Sequence, residues 1–404
     1  MEKSQNTEAN YDVIIVGGGI QGAGVAQAVQ AAGYSSMILE KSHWAAGTSS
    51  KSSKLIHGGL RYLQTGNFSL IKESLRERRL LLKNGPDLVF PNGFYIPVYK
   101  HSQYRPWKIR LALITYWFLS GCCPDGRFKV IPKKHWRQLK GLNTDGLIKV
   151  FRYQDAQTDD TKLTEAVISS AVAMGAAISC PSKLLNAQQI KNGYRIEFEK
   201  SGPEHENIIT TATCRILINA GGPWINQIAE CISPCPNTIP ISLVQGAHLV
   251  LDTKISEECF YLESPTDGRP VFVLPWYDGT LLGTTETLFE GNPEDCTITD
   301  QEKEYLMDVL NTYFPDYQGK VCGGMAGLRV LPKSEGAQAH HQLSREVQLI
   351  TDSNNQPHYL GIYGGKLTGY RATAAKVVKI IEETLHTRKP RGNTRNIPLT
   401  KSTQ

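Results

Sequence analysis

The run Gly17-Gly18-Gly19-Ile20-Gln21-Gly22 narrows what this chain can become more than any other feature. It follows Tyr11 to Val16, a stretch apolar but for Asp12 that reads as a buried parallel strand. It opens Ile20 to Ala32, a small-residue stretch that reads as a helix stopped by Gly33. Met37 to Glu40 supplies a second strand. Strand, helix and strand within about 30 residues make a βαβ unit, whose crossover sets the helix on one face of a parallel sheet. The glycines permit a tight turn, and the helix N-terminus offers amide N–H groups and a positive dipole end to a pyrophosphate. Gly17, Gly19 and Gly22 are therefore cofactor-binding candidates. Glu40 stands 18 residues beyond Gly22, where its carboxylate accepts from a ribose diol and repels a 2′-phosphate. That favours FAD or NAD over NADP.

The 404 residues have room for two or three domains, and 40% apolar with 20% charged residues is an ordinary globular balance. A net charge of +6 suits a small anionic ligand or an acidic membrane surface and is too mild for a nucleic-acid partner. Nine cysteines without a C-x-x-C pair fit neither a disulfide framework nor a metal site, and point to a reducing compartment. Met1 to Asn10 lacks the basic and apolar regions of a secretory signal, so the expected location is cytoplasmic. The longest apolar stretch, Leu111 to Leu119, falls short of the roughly 20 residues a membrane span needs. Residues 107–119 combine Trp107, Trp117 and Phe118 with Lys108 and Arg110. They read either as a helix lying in a bilayer interface, peripheral on the inner face of the cytoplasmic membrane, or as a buried helix.

Phe68 to Lys83 has the spacing of an amphipathic helix, and Thr368 to Leu385 that of a closing helix. Arg195 to Glu199 and Arg215 to Asn219 read as strands. Val271 to Trp276 and Thr280 to Gly283 read as a hairpin around Asp278 and Gly279, and Pro203 to Glu206 as an exposed turn. Ile216 to Asn219 runs into Ala220-Gly221-Gly222-Pro223, a glycine turn where backbone can approach a ligand. His386 to Gln404 is polar and basic and reads as a frayed tail.

The block Ser49-Ser50-Lys51-Ser52-Ser53-Lys54-Leu55-Ile56-His57-Gly58-Gly59-Leu60-Arg61-Tyr62-Leu63 closely resembles the signature of FAD-dependent glycerol-3-phosphate dehydrogenases. The resemblance extends through Phe90-Pro91, Asn219 to Trp224, Gly283-Thr284-Thr285-Glu286, Gly327-Leu328-Arg329 and Gly364-Gly365-Lys366-Leu367-Thr368, covering Tyr11 to about Leu385. It implies an α/β fold: a Rossmann-like FAD-binding domain of the D-amino-acid-oxidase type, interleaved with an antiparallel-sheet substrate domain. The corresponding division assigns 11–75, 150–235 and 345–390 to the first domain and 76–149 and 236–344 to the second, with flexible tails at 1–10 and 391–404. By the same reading, the helical C-terminal domain of many family members is expected to be absent here.

The resemblance further implies an enzyme with noncovalent FAD that oxidises sn-glycerol 3-phosphate to dihydroxyacetone phosphate. Hydride passes from C2 to flavin N5, and electrons pass on to quinone or another acceptor. Thr48, Ser49, Ser53, Lys54, Leu55, His57, Gly58, Gly221, Gly365, Leu367 and Thr368 join the glycine run and Glu40 as cofactor-binding residues. Oxidising a secondary alcohol needs a hydride acceptor, a group for the hydroxyl proton and cations for the phosphate. Arg61, Arg345 and Lys366 are candidates for the phosphate and Tyr62 for an added hydroxyl donor, while His248 or Arg329 would serve at the substrate hydroxyl. Glu286, Val330 and Gly221 depart from the usual Asp, Pro and Thr. Two alternatives stay open: oxidation of another hydroxy acid or an amine, and a flavin-binding sensor or assembly subunit without turnover. A homodimer or a partner subunit is compatible with either.

Overall fold

The computed structural model describes residues 8–63, 66–123, 126–139, 141–201, 206–333 and 346–401. The chain divides into two units, the first comprising 1–50, 159–243 and 329–404, the second 51–158 and 244–328.

The first unit is built on the opening strand, Ala9–Val16. Its continuous apolar run is paired in parallel on both sides, with Ser36–Leu39 and with the end of Asn207–Asn219, so both faces must be covered. Ile20–Ala31 and Tyr370–Leu385 supply side chains to one such layer: Val25, Val29, Val377 and Ile381 cluster with Val13, Ile15, Ile216 and Ile218. The strand Tyr359–Tyr363 extends the parallel sheet beyond Asn207–Asn219. A meander of Ser182–Ile190, Gly193–Ser201 and Asn207–Asn219 adds antiparallel pairs. Pro203 falls among the undescribed residues.

The C-terminal segment differs from the expected frayed tail. Arg388 donates to both Asp12 carboxylate oxygens at 2.6 and 2.7 Å and lies over the Tyr34 ring. Arg391 donates to Gln30 Oε1 and Met174 O, and Leu399 is buried. Polar composition suggested solvent, yet guanidinium forks bind wherever fixed oxygens await them.

The second unit carries the other sheet, in the order Thr287–Phe289, Ile241–Leu251, Gly279–Gly283, Pro270–Trp276, Cys259–Glu263, Val89–Tyr99, Leu147–Thr158, Leu55–Ile56. The expected hairpin is present, with Phe272 opposite Gly283 and Trp276 opposite Gly279. Cys259–Glu263 runs parallel to Val89–Tyr99, while Ile241–Leu251, Gly279–Gly283, Pro270–Trp276 and Cys259–Glu263 pair antiparallel in succession, as do Val89–Tyr99, Leu147–Thr158 and Leu55–Ile56. The division between units falls after Ser50, earlier than the residue 75 expected. Leu55 and Ile56 pair with Gln157 and Ala156 of the second sheet, and the helix Phe68–Asn84 buries Ile71 and Leu75 in the same cluster as Phe94 and Phe151.

Candidate active site

In the first unit the glycine run turns tightly under the sheet's carboxyl edge. Gly17 has φ +115°, and a Cβ there would meet Ala220 O at 2.5 Å. At Gly22 a Cβ would lie 1.9 Å from Gly17 O, which brings the helix onto the strand end. Gly19 caps the helix Ile20–Ala31 without a side-chain acceptor, while Ser49 Oγ accepts from Ile20 N at 2.9 Å. Ser49 and Thr48 lie on the short turn Thr48–Ser50, so the start of the Ser-rich block reaches the dinucleotide turn.

Glu40 is buried beside it. One carboxylate oxygen accepts from Gly18 N at 2.7 Å, the other from Ser42 N at 3.0 Å, which fixes the group at the strand end. Carboxylate oxygens carry about four acceptor sites in all, so capacity for a ribose diol remains. Gly365, at φ +112°, packs on Gln21, whose Nε2 donates to Lys366 O at 3.3 Å. Leu367 and buried Thr368 continue that turn into the closing helix. At Gly221, where the resembled family has Thr, the Ile228 Cδ1 methyl fills the space: a Cβ would meet it at 2.2 Å.

Two buried polar atoms flank this turn without hydrogen-bond partners among the described residues: Gln21 Oε1 and Trp224 Nε1. Native interiors seldom leave such groups unmet, so both mark where a polar ligand satisfies them. Neither residue carries a ligand signal in the sequence beyond the place of Trp224 at the end of the Gly221-Gly222-Pro223-Trp224 run. The glycine cradle, Glu40 and these two groups fit a bound dinucleotide.

The second unit holds the rest of the Ser-rich block. Lys54 is buried at φ +57°, its Nζ 5.2 Å from the Trp276 ring centroid. Leu55 is tied into the sheet, and the His57 and Tyr62 rings lie 6.4 Å apart. Gly58 N donates to Asp155 Oδ1 at 3.2 Å, and a Cβ on Gly58 would strike Tyr116 Oη at 2.2 Å. Asp155 also receives Arg78 Nη1 at 2.6 Å and Tyr116 Oη at 3.0 Å. Burial and the Asp155 charge hold the Tyr116 phenol well above its ordinary pKa. This cluster went unseen in the sequence because its members share no local pattern.

His248 lies buried on Ile241–Leu251, opposite Gly283 in register. A Cβ at position 283 would sit 2.2 Å from His248 Cδ2, so the glycine admits the imidazole. Its Nε2 is 2.9 Å from Ser53 Oγ. Two candidates far apart in sequence thus meet. Arg329 is half-buried on Val321–Pro332, and Lys366 is half-buried in the turn after Tyr359–Tyr363. Arg61 sits on the turn Leu60–Leu63 with its side chain outside the described part, and Arg345 lies wholly outside it. Glu286 offers its carbonyl to Arg269 Nη1 at 2.7 Å, and Val330 lies on the Arg329 strand.

No group of three or more His, Cys, Asp or Glu among the described residues could hold a metal ion. Burial pushes the Cys180 thiol up to about 11 and that of Cys214 up to about 12, the reverse of what a nucleophilic thiolate requires.

A βαβ turn with these features in one unit and a largely antiparallel sheet in the other define a dinucleotide-dependent redox enzyme. The chain belongs to the FAD dependent oxidoreductase family, whose model matches residues 12–371. Its cofactor is FAD. It is 33% identical over 373 residues to the aerobic glycerol-3-phosphate dehydrogenase of Escherichia coli (strain K12), covering 90% of this chain and 72% of that one. It is 32% identical over 371 residues to the D-erythritol 1-phosphate dehydrogenase of Brucella abortus (strain 2308), with the same shares covered. The fold matches the glycerol-3-phosphate dehydrogenase from Bacillus halodurans complexed with FAD, with a TM-score of 0.76 at 24% identity over 96% of this chain and 68% of that one.

Proposed function

We propose that the protein oxidises sn-glycerol 3-phosphate at C2 to dihydroxyacetone phosphate. The observation that carries the reading is the 2.9 Å pairing of His248 Nε2 with Ser53 Oγ, which joins a buried imidazole to the Ser-rich block. Bound FAD supplies the hydride acceptor. The chain's own groups do the rest. His248 Nε2 takes the hydroxyl proton, directly or through Ser53 Oγ, in the tautomer protonated at Nδ1. Arg329 and Lys366 hold the phosphate dianion, with Arg61 and Tyr62 as further donors. A second reading, a longer polyol phosphate, is favoured by the likeness to the D-erythritol 1-phosphate enzyme, which is within one per cent identity of that to the glycerol-3-phosphate enzyme.

Anaerobic addition of sn-glycerol 3-phosphate is expected to bleach the flavin band, while glycerol does not. Arg329→Ala should weaken apparent substrate affinity roughly 10- to 100-fold, the worth of a charged hydrogen bond. Bleaching by D-erythritol 1-phosphate alone would select the second reading, and bleaching by neither would remove both.

Electron transfer to a membrane quinone is part of the proposal. No helix among the described residues is long and apolar enough to cross a membrane. On Pro106–Leu119, however, Trp107 and Phe118 are 63% and 71% exposed, and Leu111 and Ile114 lie between them on the same stripe, while Leu113 and Tyr116 face the core. No acidic residue occurs between Asp87 and Asp125, and Lys100, Arg105, Lys108 and Arg110 are exposed. This pattern supports peripheral binding to an anionic bilayer. Co-sedimentation with phosphatidylglycerol vesicles is expected, and Trp107→Ser with Phe118→Ser should cut it by roughly 10-fold or more at about 1.5–3 kcal/mol per buried side chain. Equal partitioning of variant and parent would exclude this helix as the contact.

A further inference from the structure

We infer that Glu302 is a positioning residue that holds His248 in its working place. The inference rests on the proton role proposed for His248. Glu302 is the third residue of the helix Asp300–Tyr313, where it completes a capping box with Thr299. A capping carboxylate normally ends its work at the helix terminus, exposed to solvent. This one is buried and gathers donors from beyond its helix.

Its Oε1 accepts from Thr285 Oγ1 at 2.7 Å and Thr287 Oγ1 at 3.2 Å. Its Oε2 accepts from Gln245 Nε2 at 2.6 Å and from Thr299 N at 3.1 Å. Thr285 Oγ1 in turn accepts from Ala247 N at 2.8 Å. Gln245 and Ala247 are close neighbours of His248 on one strand, and Thr285 stands two residues after Gly283, which faces His248 across the ladder. One carboxylate thus fastens both strands that enclose the imidazole. The hydroxyl of Thr285 is the link, since it donates to the carboxylate and accepts from the His248 strand at once.

The arrangement explains what a carboxylate does at this position that an amide would not. Each partner of Glu302's two oxygens among the described residues donates to them; an amide oxygen could serve one pair, but its NH2 group would leave the protons of the other pair without the acceptor they now share. The strands would then shift, and the Nε2 of His248 would leave its 2.9 Å approach to Ser53. Misplacement on the scale of an ångström costs turnover more than binding.

The test compares Glu302→Gln, Thr285→Val, Thr285→Ser and His248→Asn as FAD-loaded full-length proteins, with kcat and KM for sn-glycerol 3-phosphate. Glu302→Gln and Thr285→Val are expected to lower kcat about 10- to 100-fold with KM held within about 2-fold. Thr285→Ser, which keeps the hydroxyl, should restore kcat to within about 2-fold of the parent. Should Glu302→Gln fail to fold, the Thr285 pair decides alone. Parental kcat in Thr285→Val, with depressed kcat in His248→Asn, overturns the positioning role. Equal loss in Thr285→Ser and Thr285→Val overturns it as well, since the hydroxyl would then not be the link. Parental kcat in His248→Asn overturns the proton role beneath it.

Discussion

Gly22→Ala is expected to yield protein that carries almost no flavin. The residue is helical and its backbone tolerates alanine, so the cause is contact alone: the new methyl would lie 1.9 Å from Gly17 O. Relief requires either the helix Ile20–Ala31 to back away from the strand end or Gly17 to flip, and both move the amides that face a pyrophosphate. Overpacking of this kind costs about 1–3 kcal/mol, and FAD affinity should fall roughly 10- to 100-fold. The visible-to-ultraviolet absorbance ratio of purified protein and titration of the apoprotein with FAD measure it. Retention of the parent's flavin content would mean that the turn does not set the cofactor's seat.

The second large effect concerns stability. Arg78→Ala leaves the Asp155 carboxylate buried with only Tyr116 and Gly58 as donors among the described residues, and breaking a buried pair typically costs about 3–5 kcal/mol. Burial opposes the charge on Arg78, and Asp155 more than offsets it, raising the guanidinium pKa above its ordinary value. Urea unfolding followed by circular dichroism should show the loss. The double variant Arg78→Met/Asp155→Leu should recover most of it, because neither charge is then stranded. Since Asp155 also holds Gly58 N, beside His57, the double variant, which removes that acceptor, should bind FAD more weakly than the single variant even though it is the more stable of the two. Similar stability in the single and double variants would show that the pair is not the source.

Parts of the site that share a contiguous stretch were readable before any coordinates. The glycine run, its flanking strand and helix, and Glu40 all lie within Tyr11 to Glu40. Their geometry follows from backbone rules that act over a few residues. The hairpin at Asp278-Gly279 and the two amphipathic helices were readable for the same reason. Less was legible where residues meet across the chain. Ser53 and His248 are separated by 195 positions, and only the pairing of His248 with Gly283 shows that the imidazole is buried against a residue without a side chain. Thr299-x-x-Glu302 reads correctly as a helix start, and nothing in that pattern says that the carboxylate reaches Thr285 and Gln245. The C-terminal segment misled because composition reports preference for water and is silent about the oxygens of Asp12 and Gln30.

The sequence by itself therefore determined the dinucleotide turn, the strand and helix alternation around it and, through its motifs, the family. These depend on local conformational freedom and periodicity, which one stretch of chain carries complete. Tertiary structure alone decided which polar groups share a site: the Ser53–His248 pair, the Asp155 cluster and the Glu302 clamp. A buried hydrogen bond is set by register and packing between distant segments, and no single segment contains that information.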